Sequence, residues 1–545
     1  MGFSMNFLLN LIFITVIIPL FLLLIFLYIY NQQTKKYHPI GGTVFNMLIN
    51  FKRLHHYMAD LAAKYKTFRM ISPFRGEIYT TDPVLVEYIL KTNFQNYGKG
   101  THVHNLLEDF LGDGIFTVDG DEWQEQRKLS SHEFSTKVLR DFSCVTFRKN
   151  AVKLGNIFLE AAKSNQVVDI NDLFMKATAD SIFKVAFGVD LDNLSGSNEE
   201  GVRFSRAFDD ANELTYNRLV DITWKIKKYF NIGSEAELKK NLKVVDEFVY
   251  KVIRTKSEQM SKPKDNYLVS YVYSVSQTII EVYSFTCSSL FTPFNLTFDL
   301  RTLQLTKEDI LSRFMQMENR DPKYFRDIIM NYVLAGKDPI AATMTWLIYM
   351  LCKYPQVQDK VANDIKEAMY IKEEVTNVAN FEARLSEDAL EKMQYLQATL
   401  AETIRLYPAL PLDLKICFSS DVLPDGCIVK KGDVVAYMPY AMGRMKFIWG
   451  DDAHEFKPER WLDANGCFHS KSPFKFTAFQ AGPRTCLGRE FAYRQMKIFS
   501  SILLGCFAFK LSNANEDPKY RTTINIQLDG PLNIYVSLRS GLHDP

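Results

Sequence analysis

The chain has 545 residues, 47% of them hydrophobic, with 65 Lys and Arg against 63 Asp and Glu. That apolar content suffices for a large packed core, and a net charge of +2 excludes the broad basic excess that nucleic-acid binding requires. The eight cysteines, at 144, 287, 352, 417, 427, 467, 486 and 506, form no CxxC pair, which excludes a disulfide-stapled scaffold and fits a reducing compartment.

The stretch 7–30, FLLNLIFITVIIPLFLLLIFLYIY, carries no charge. As a helix it reaches roughly 36 Å, enough to cross a bilayer. Lys35 and Lys36 follow it and no Lys or Arg precedes it, so the positive-inside rule places the rest of the chain in the cytosol. Without a basic leader or a small-residue cleavage site it reads as a retained anchor, 1–33, rather than a signal peptide. KKYHPIGG then turns into a catalytic body, 34–545. From about residue 45 to 410 the apolar period is helical, as in NMLINFKRLHHYMADLAAKY and SEAELKKNLKVVDEFVYKVIRTKSEQM, with short strands such as GEIYTT between. After 410 the texture changes. Turns at Asp425-Gly426 and Lys431-Gly432 separate alternating apolar positions, and TTINIQLDGPLNIYVSL repeats the pattern. The expectation is a mainly α domain with small β-sheets. Residues 268–304 carry only Glu281, Asp299 and Arg301 as charges, lack helical periodicity and contain Pro293, and read as an atypical insertion.

Two segments carry chemistry. LAGKDPIAATMTW, 334–346, sets Pro339 within a long helical pattern. Proline lacks the backbone donor and disfavours helical dihedrals in the residue before it, so a bend with an outward carboxylate at Asp338 is expected. In FQAGPRTCLGRE, 479–490, Cys486 follows a Gly-Pro turn and precedes a helical pattern. A helix N-terminus stabilises a thiolate. Gly482 and Gly488 allow the backbone close to a flat, bulky group, and Arg484 can meet an anion beside the ligand. One thiolate without a second ligand suits haem better than zinc or an iron–sulfur cluster. His55-His56 and His102-x-His104 read as solvated. The absence of GxGxxG, Walker and GxSxG motifs leaves no built-in nucleotide site and no hydrolase elbow.

Phe479, Gly482, Arg484, Cys486 and Gly488 together resemble the FxxGxRxCxG haem-binding loop of the cytochrome P-450 superfamily. Glu402 and Arg405 in ETIR resemble its ExxR helix, and Arg460 in FKPERW its downstream arginine; the resemblance implies that these three brace the cysteine loop. Trp123 and Arg127 in DEWQEQRK resemble the WxxxR helix that reaches a haem propionate. AGKDP, 335–339, resembles AGxDT, with Asp338 in the proton-relaying position and Pro339 where a threonine assists oxygen activation. The phrases around FKPERW, the cysteine loop and DEWQEQRK resemble the plant clan that hydroxylates fatty acids at or near the methyl terminus. The resemblance implies a P-450 fold behind a single transmembrane helix, haem b (iron protoporphyrin IX) on Cys486, O2, and electrons from NADPH through a separate flavoprotein reductase, for which Arg489, Arg494 and Lys497 near the loop are docking candidates. It further implies a lipophilic substrate and a place in the endoplasmic reticulum membrane, facing the cytosol. The alternatives are a haem-dependent hydroperoxide isomerase or dehydratase, and a weakly active haem- or lipid-binding protein, because Pro339 replaces the threonine.

Overall fold

The computed structural model describes residues 36–72, 75–135, 137–221, 223–261, 309–317, 320–371, 377–515 and 518–539. The expected anchor, 1–33, and the insertion, 268–304, lie outside the described residues. Among the described residues no helix is long and apolar enough to cross a membrane.

The body is mainly helical, as its 3.6-residue period predicts. The helices that frame the site are α1 (Val44–Ile49), α2 (Leu54–Tyr65), α3 (Gly100–Leu111), α4 (Gly120–Ser135), α5 (Lys137–Ser164), α6 (Ile170–Phe187), α7 (Glu199–Asn217), α8 (Gly233–Ser261), α9 (Pro322–Gly336), α10 (Asp338–Lys353), α11 (Gln394–Leu406) and α12 (Arg489–Cys506). The largest sheet lies to one side. Its strands β1 (Ile40–Thr43), β2 (Thr67–Ile71), β3 (Gly76–Thr80), β4 (Tyr97–Gly98), β5 (Asp413–Cys417) and β6 (Val434–Tyr437) run in the order β1-β2-β3-β6-β5-β4. Pairing of β3 with β6 is parallel and in register from Glu77–Val434 to Thr80–Tyr437. The expected turn at Asp425-Gly426 joins a small antiparallel pair, Asp421–Val422 with Ile428–Val429, and Gly426 supplies the left-handed φ of +81°.

The centre of the molecule is α9 followed by α10. Both are buried on nearly every face, which is why their sequence is apolar all round. Asp321 caps α9 by accepting from Lys323 N, with Pro322 in the first turn. The helix stops at Gly336, and a Cβ there would lie 2.5 Å from Ile182 Cδ1 on α6. The interruption differs from the sequence expectation. It falls at Lys337 (φ −94°, ψ −70°), and Asp338 opens α10 instead of swinging out of it. Pro339 then sits in a first turn, where its missing N–H costs nothing.

The paired histidines also differ from expectation. His55 is buried between Tyr440 and Tyr520, with ring centroids at 5.7 and 5.3 Å, and burial pushes its pKa down to about 3. His56 stacks on Tyr520 and shares a 2.9 Å hydrogen bond with the Tyr440 hydroxyl. His104 faces Asp113 at 2.9 Å. Packing against distant aromatics, invisible in the local pattern, removes His55 from solvent, whereas His104 is half-buried and His56 stays exposed as expected.

Candidate active site

Cys486 lies two residues before the cap of α12, whose N-cap is Gly488. Its backbone N–H donates to the Phe479 carbonyl at 2.8 Å, closing the loop into a fixed bulge. Gly482 has φ +66°, and a Cβ there would fall 1.9 Å from the Leu90 carbonyl, so no side chain fits. The Cys486 side chain is accessible although protein surrounds it densely enough to push the thiol pKa up. Both observations hold if it faces an internal cleft. The Gly488 N–H and the guanidinium groups of Arg127 and Arg489 oppose that shift, but burial outweighs them. The helix-terminus argument therefore gives the right neighbours and understates desolvation.

Across Phe134 from this loop lies the central helix next to its break. Away from the outer ends of the helix pair, which are exposed, Ala335 is exposed and Pro339 half-exposed among buried residues, and with Tyr332 they lie at helical spacing. Phe134 links the two walls. A Cβ on Gly488 would lie 3.9 Å from both Cys486 Sγ and the Phe134 ring, whose other side meets Tyr332 edge-on at 5.8 Å. Nothing in its sequence setting marks Phe134; it follows Trp123 and Arg127 on α4 at helical spacing, which is the one available signal.

Beside the loop stands a cationic wall. Arg484 is stacked 4.5 Å from the Trp123 ring and donates to Asp119 at 2.6 Å and to the Val118 carbonyl at 2.9 Å. Arg127, one turn along α4 from Trp123, is within electrostatic range of both Arg484 and Cys486. Lys99 and Lys415 both hold Asp413, at 2.7 and 2.8 Å, and overcome the burial that would otherwise raise its pKa. Burial pushes Lys415 down to about 7 against the pull of Asp413, and Lys99 and Arg484 add to the effect. Lys99, Asp119, Asp413 and Lys415 went unremarked in the sequence because the partners are scattered over three elements. The Nε atoms of Arg484 and Arg489 are buried without partners.

Glu402 and Arg405 are fully buried and doubly bonded, at 2.7 and 2.8 Å. Arg405 also donates to the Gly443 carbonyl and to those of Ala453 (2.6 Å) and Glu455 (2.9 Å). Arg460 approaches Glu402 at 3.4 Å and binds Asp452 at 2.8 Å, while Trp461 Nε1 donates to Glu402 at 2.9 Å. This lattice fastens α11 to the segment leading into the cysteine loop.

Asp338 is fully buried and faces α7. Lys337 Nζ donates to it at 2.7 Å and to Asp209 at 2.5 Å, and Asn212 Nδ2 donates at 3.1 Å. Burial raises Asp209 to about 6, against the pull of Lys337. The Thr343 hydroxyl donates to the Pro339 carbonyl at 2.8 Å, so it is committed to the backbone. Of the three docking candidates, Arg494 is paired with Glu387 and Lys497 donates to the Leu390 carbonyl at 2.7 Å with its pKa lowered by burial to about 8. Both serve packing and do not offer free cations; Arg489 lies 5.8 Å from the Phe479 ring.

The residues present fit a haem: one accessible thiol with a glycine N–H beside it, a loop that excludes Cβ atoms, a wall with excess positive charge for carboxylates, and orphaned arginine donors. A mainly helical body with small sheets, carrying an accessible cysteine at the start of a helix and close to a broken central helix, is the architecture of a haem-thiolate protein. The family model described as Cytochrome P450 matches residues 33–535, and the chain belongs to the cytochrome P450 family as a monooxygenase. It is 46% identical over 531 residues to Cytochrome P450 704C1 of Pinus taeda, covering 94% of each chain. It is 40% identical to Cytochrome P450 704B1 of Arabidopsis thaliana over 95% of this chain and 97% of that one, and 34% identical to Cytochrome P450 94A1 of Vicia sativa over 92% and 90%. The family implies haem, O2, a redox partner and a lipophilic substrate.

Proposed function

We propose that the protein is a membrane-anchored monooxygenase that hydroxylates a long-chain fatty acid at its methyl end. The observation that carries this reading is the accessible Cys486 thiol beside Phe134, whose ring meets Tyr332 one turn before the break in the central helix. Haem b, held by the Cys486 thiolate, supplies the oxygen activation and C–H oxidation. Arg127, Trp123 and Arg484 hold its carboxylates, and the buried Glu402–Arg405–Arg460 lattice keeps the loop in register. Asp338, held beside Asp209 by the Lys337 ammonium that donates to both, is the carboxylate placed to assist proton delivery. The apolar walls exclude water.

Electrons come from NADPH through a separate flavoprotein reductase. Location at the endoplasmic reticulum, with the body in the cytosol, rests on the uncharged stretch 7–30. Phe45 and Ile49 on α1, and Tyr229 and Phe230 beyond α7, are 56, 81, 84 and 63% exposed, an apolar face suited to a bilayer surface. The fatty-acid reading rests on the resemblance of the long phrases around Arg127, Arg460 and Cys486 to the plant hydroxylase clan. The test is turnover by the full-length protein with reductase and NADPH: a terminal hydroxy acid in the product supports the reading. Turnover of a fatty-acid hydroperoxide without reductase, and no hydroxylation with it, supports the isomerase that the missing threonine would suit.

A further inference from the structure

A second cavity, of about 380 Å³, opens between α1, the sheet and the segment that follows α7. Its lining is apolar over most of its extent, with Met47, Leu48, Leu412, Leu414 and Val434 among its walls. That size and character suit a chain-like lipid or another small ligand of similar bulk. Buried Tyr216 is part of its lining, one turn beyond Asn212 on α7. Asn212 in turn donates to Asp338 at the start of α10, so α7 connects this cavity to the broken central helix.

Among the side chains lining this cavity, Arg75, His102 and Lys225 bring nitrogen atoms close together. They are close enough that Arg75 and Lys225 both help lower the His102 pKa, which burial brings down to about 4. His102 is therefore neutral at physiological pH and offers an N–H donor, while the other two offer charge. Glu77, also on the lining, is the carboxylate whose charge acts on Arg75 and partly opposes its desolvation. Its side chain accepts from the Tyr79 hydroxyl at 2.9 Å and is raised in pKa by burial, and among the described residues no carboxylate reaches Arg75 within ion-pair distance. The other charges on the lining are committed: Arg218 to Glu235 and Asp109, and Asp221 to Lys227. Burial lowers the Arg75 pKa, the signature of a cation lacking a full counter-charge.

We propose that Arg75, assisted by Lys225 and the His102 N–H, binds the carboxylate of a long-chain fatty acid, so that the methyl end is the part directed toward the haem cleft. This rests on the fatty-acid reading above and deepens it. A guanidinium in a half-desolvated apolar setting is the side chain best matched to a carboxylate, which it binds through two parallel hydrogen bonds. An anchor at the head and an apolar channel for the tail would set the oxidised position by chain length. The bond so made replaces the counter-charge that Arg75 lacks.

The experiment is a substrate-induced spectral titration of the holoenzyme with hexadecanoic acid and with its methyl ester, alongside product analysis. In wild type the acid should bind more tightly than the ester. Arg75→Gln should weaken acid binding about tenfold or more, leave ester binding unchanged, and spread hydroxylation inward from the terminal carbon. Arg75→Lys should restore part of the affinity, and Lys225→Gln should cost several-fold. The reduced carbon-monoxide spectrum of each variant verifies an intact site. Equal binding of acid and ester by wild type, with terminal hydroxylation of both, would overturn the carboxylate anchor while the fatty-acyl reading stands. Acid affinity unchanged in Arg75→Gln overturns the anchor equally. Hydroxylation of neither ligand overturns both.

Discussion

Glu402 and Arg405 face each other one turn apart on α11, both fully buried, joined by hydrogen bonds of 2.7 and 2.8 Å. Three backbone carbonyls complete the arginine's bonds, and Trp461 and the Lys457 N–H complete those of the glutamate. Truncating one partner strands the other as a buried charge. Glu402→Ala or Arg405→Ala should destabilise the protein by about 3–5 kcal/mol and sharply reduce recovered holoprotein. Arg405→Lys should fail nearly as badly, because a lysine lacks the planar fork that spans both carboxylate oxygens. Denaturant melts and haem content per protein measure both.

Lys337 stands between a half-buried carboxylate, Asp209 at 2.5 Å, and a fully buried one, Asp338 at 2.7 Å. Lys337→Met removes the cation and leaves like charges close together, so it should cost several kcal/mol near neutral pH. The deficit should depend on pH in a defined direction. Asp209 is already raised to about 6, and without Lys337 it rises further. A carboxyl whose folded pKa exceeds its unfolded value of 3.8 contributes stability below that value, lost as pH rises through the folded pKa. The gap between variant and wild type should therefore widen from about pH 6 upward, where the wild-type carboxyl ionises and the variant's still holds its proton, and Asp209→Asn in the variant background should narrow it. Melts across that range are the measurement.

What was legible in the sequence was local. The Cys486 loop, the Glu402–Arg405 spacing, the Trp123–Arg127 spacing and the turn at Asp425-Gly426 are written within a few residues, where helix period and turn chemistry act. What was hidden is non-local. Asn212 meets Asp338 across 126 positions, and the His55 backbone meets Tyr520 across 465. Arg494 reads as a surface cation until Glu387, 107 positions away, packs against it. Pro339 was legible as an interruption, but the exact residue at which the helix stops depends on the packing of Gly336 against Ile182.

Pro339 occupies the half-exposed position on the cleft wall, and Thr343 cannot replace the absent hydroxyl because it donates to the Pro339 carbonyl. Proton delivery should therefore be poorly timed, with part of the reducing power released as hydrogen peroxide. Pro339→Thr should raise the ratio of hydroxylated product to NADPH consumed, at little cost in stability, since the proline sits in the first turn of α10. Asp338→Asn should slow turnover. Wild-type coupling already near unity, unchanged by the threonine, would contradict this reading of the helix.

His55 is neutral in its aromatic pocket, with a pKa pushed down by burial from 6.5 to about 3. A histidine whose folded pKa is depressed contributes stability above its unfolded pKa, lost progressively as pH falls below 6.5. His55→Gln should flatten the acid limb of the stability profile between about pH 6 and pH 4, while costing stability at neutral pH through lost packing against Tyr440 and Tyr520. Thermal melts in that window resolve the two effects.

The central claim is that Cys486 alone, among the cysteines, holds the haem iron. The most direct measurement is the reduced carbon-monoxide difference spectrum of wild type, Cys486→Ser and Cys506→Ser. Cys506 is buried in α12 with its thiol pushed up to about 12, so its loss should leave the spectrum intact. The account predicts the thiolate-ligated absorption band in wild type and Cys506→Ser and its absence in Cys486→Ser. The same band retained in Cys486→Ser, or lost in Cys506→Ser with haem still bound, would contradict it.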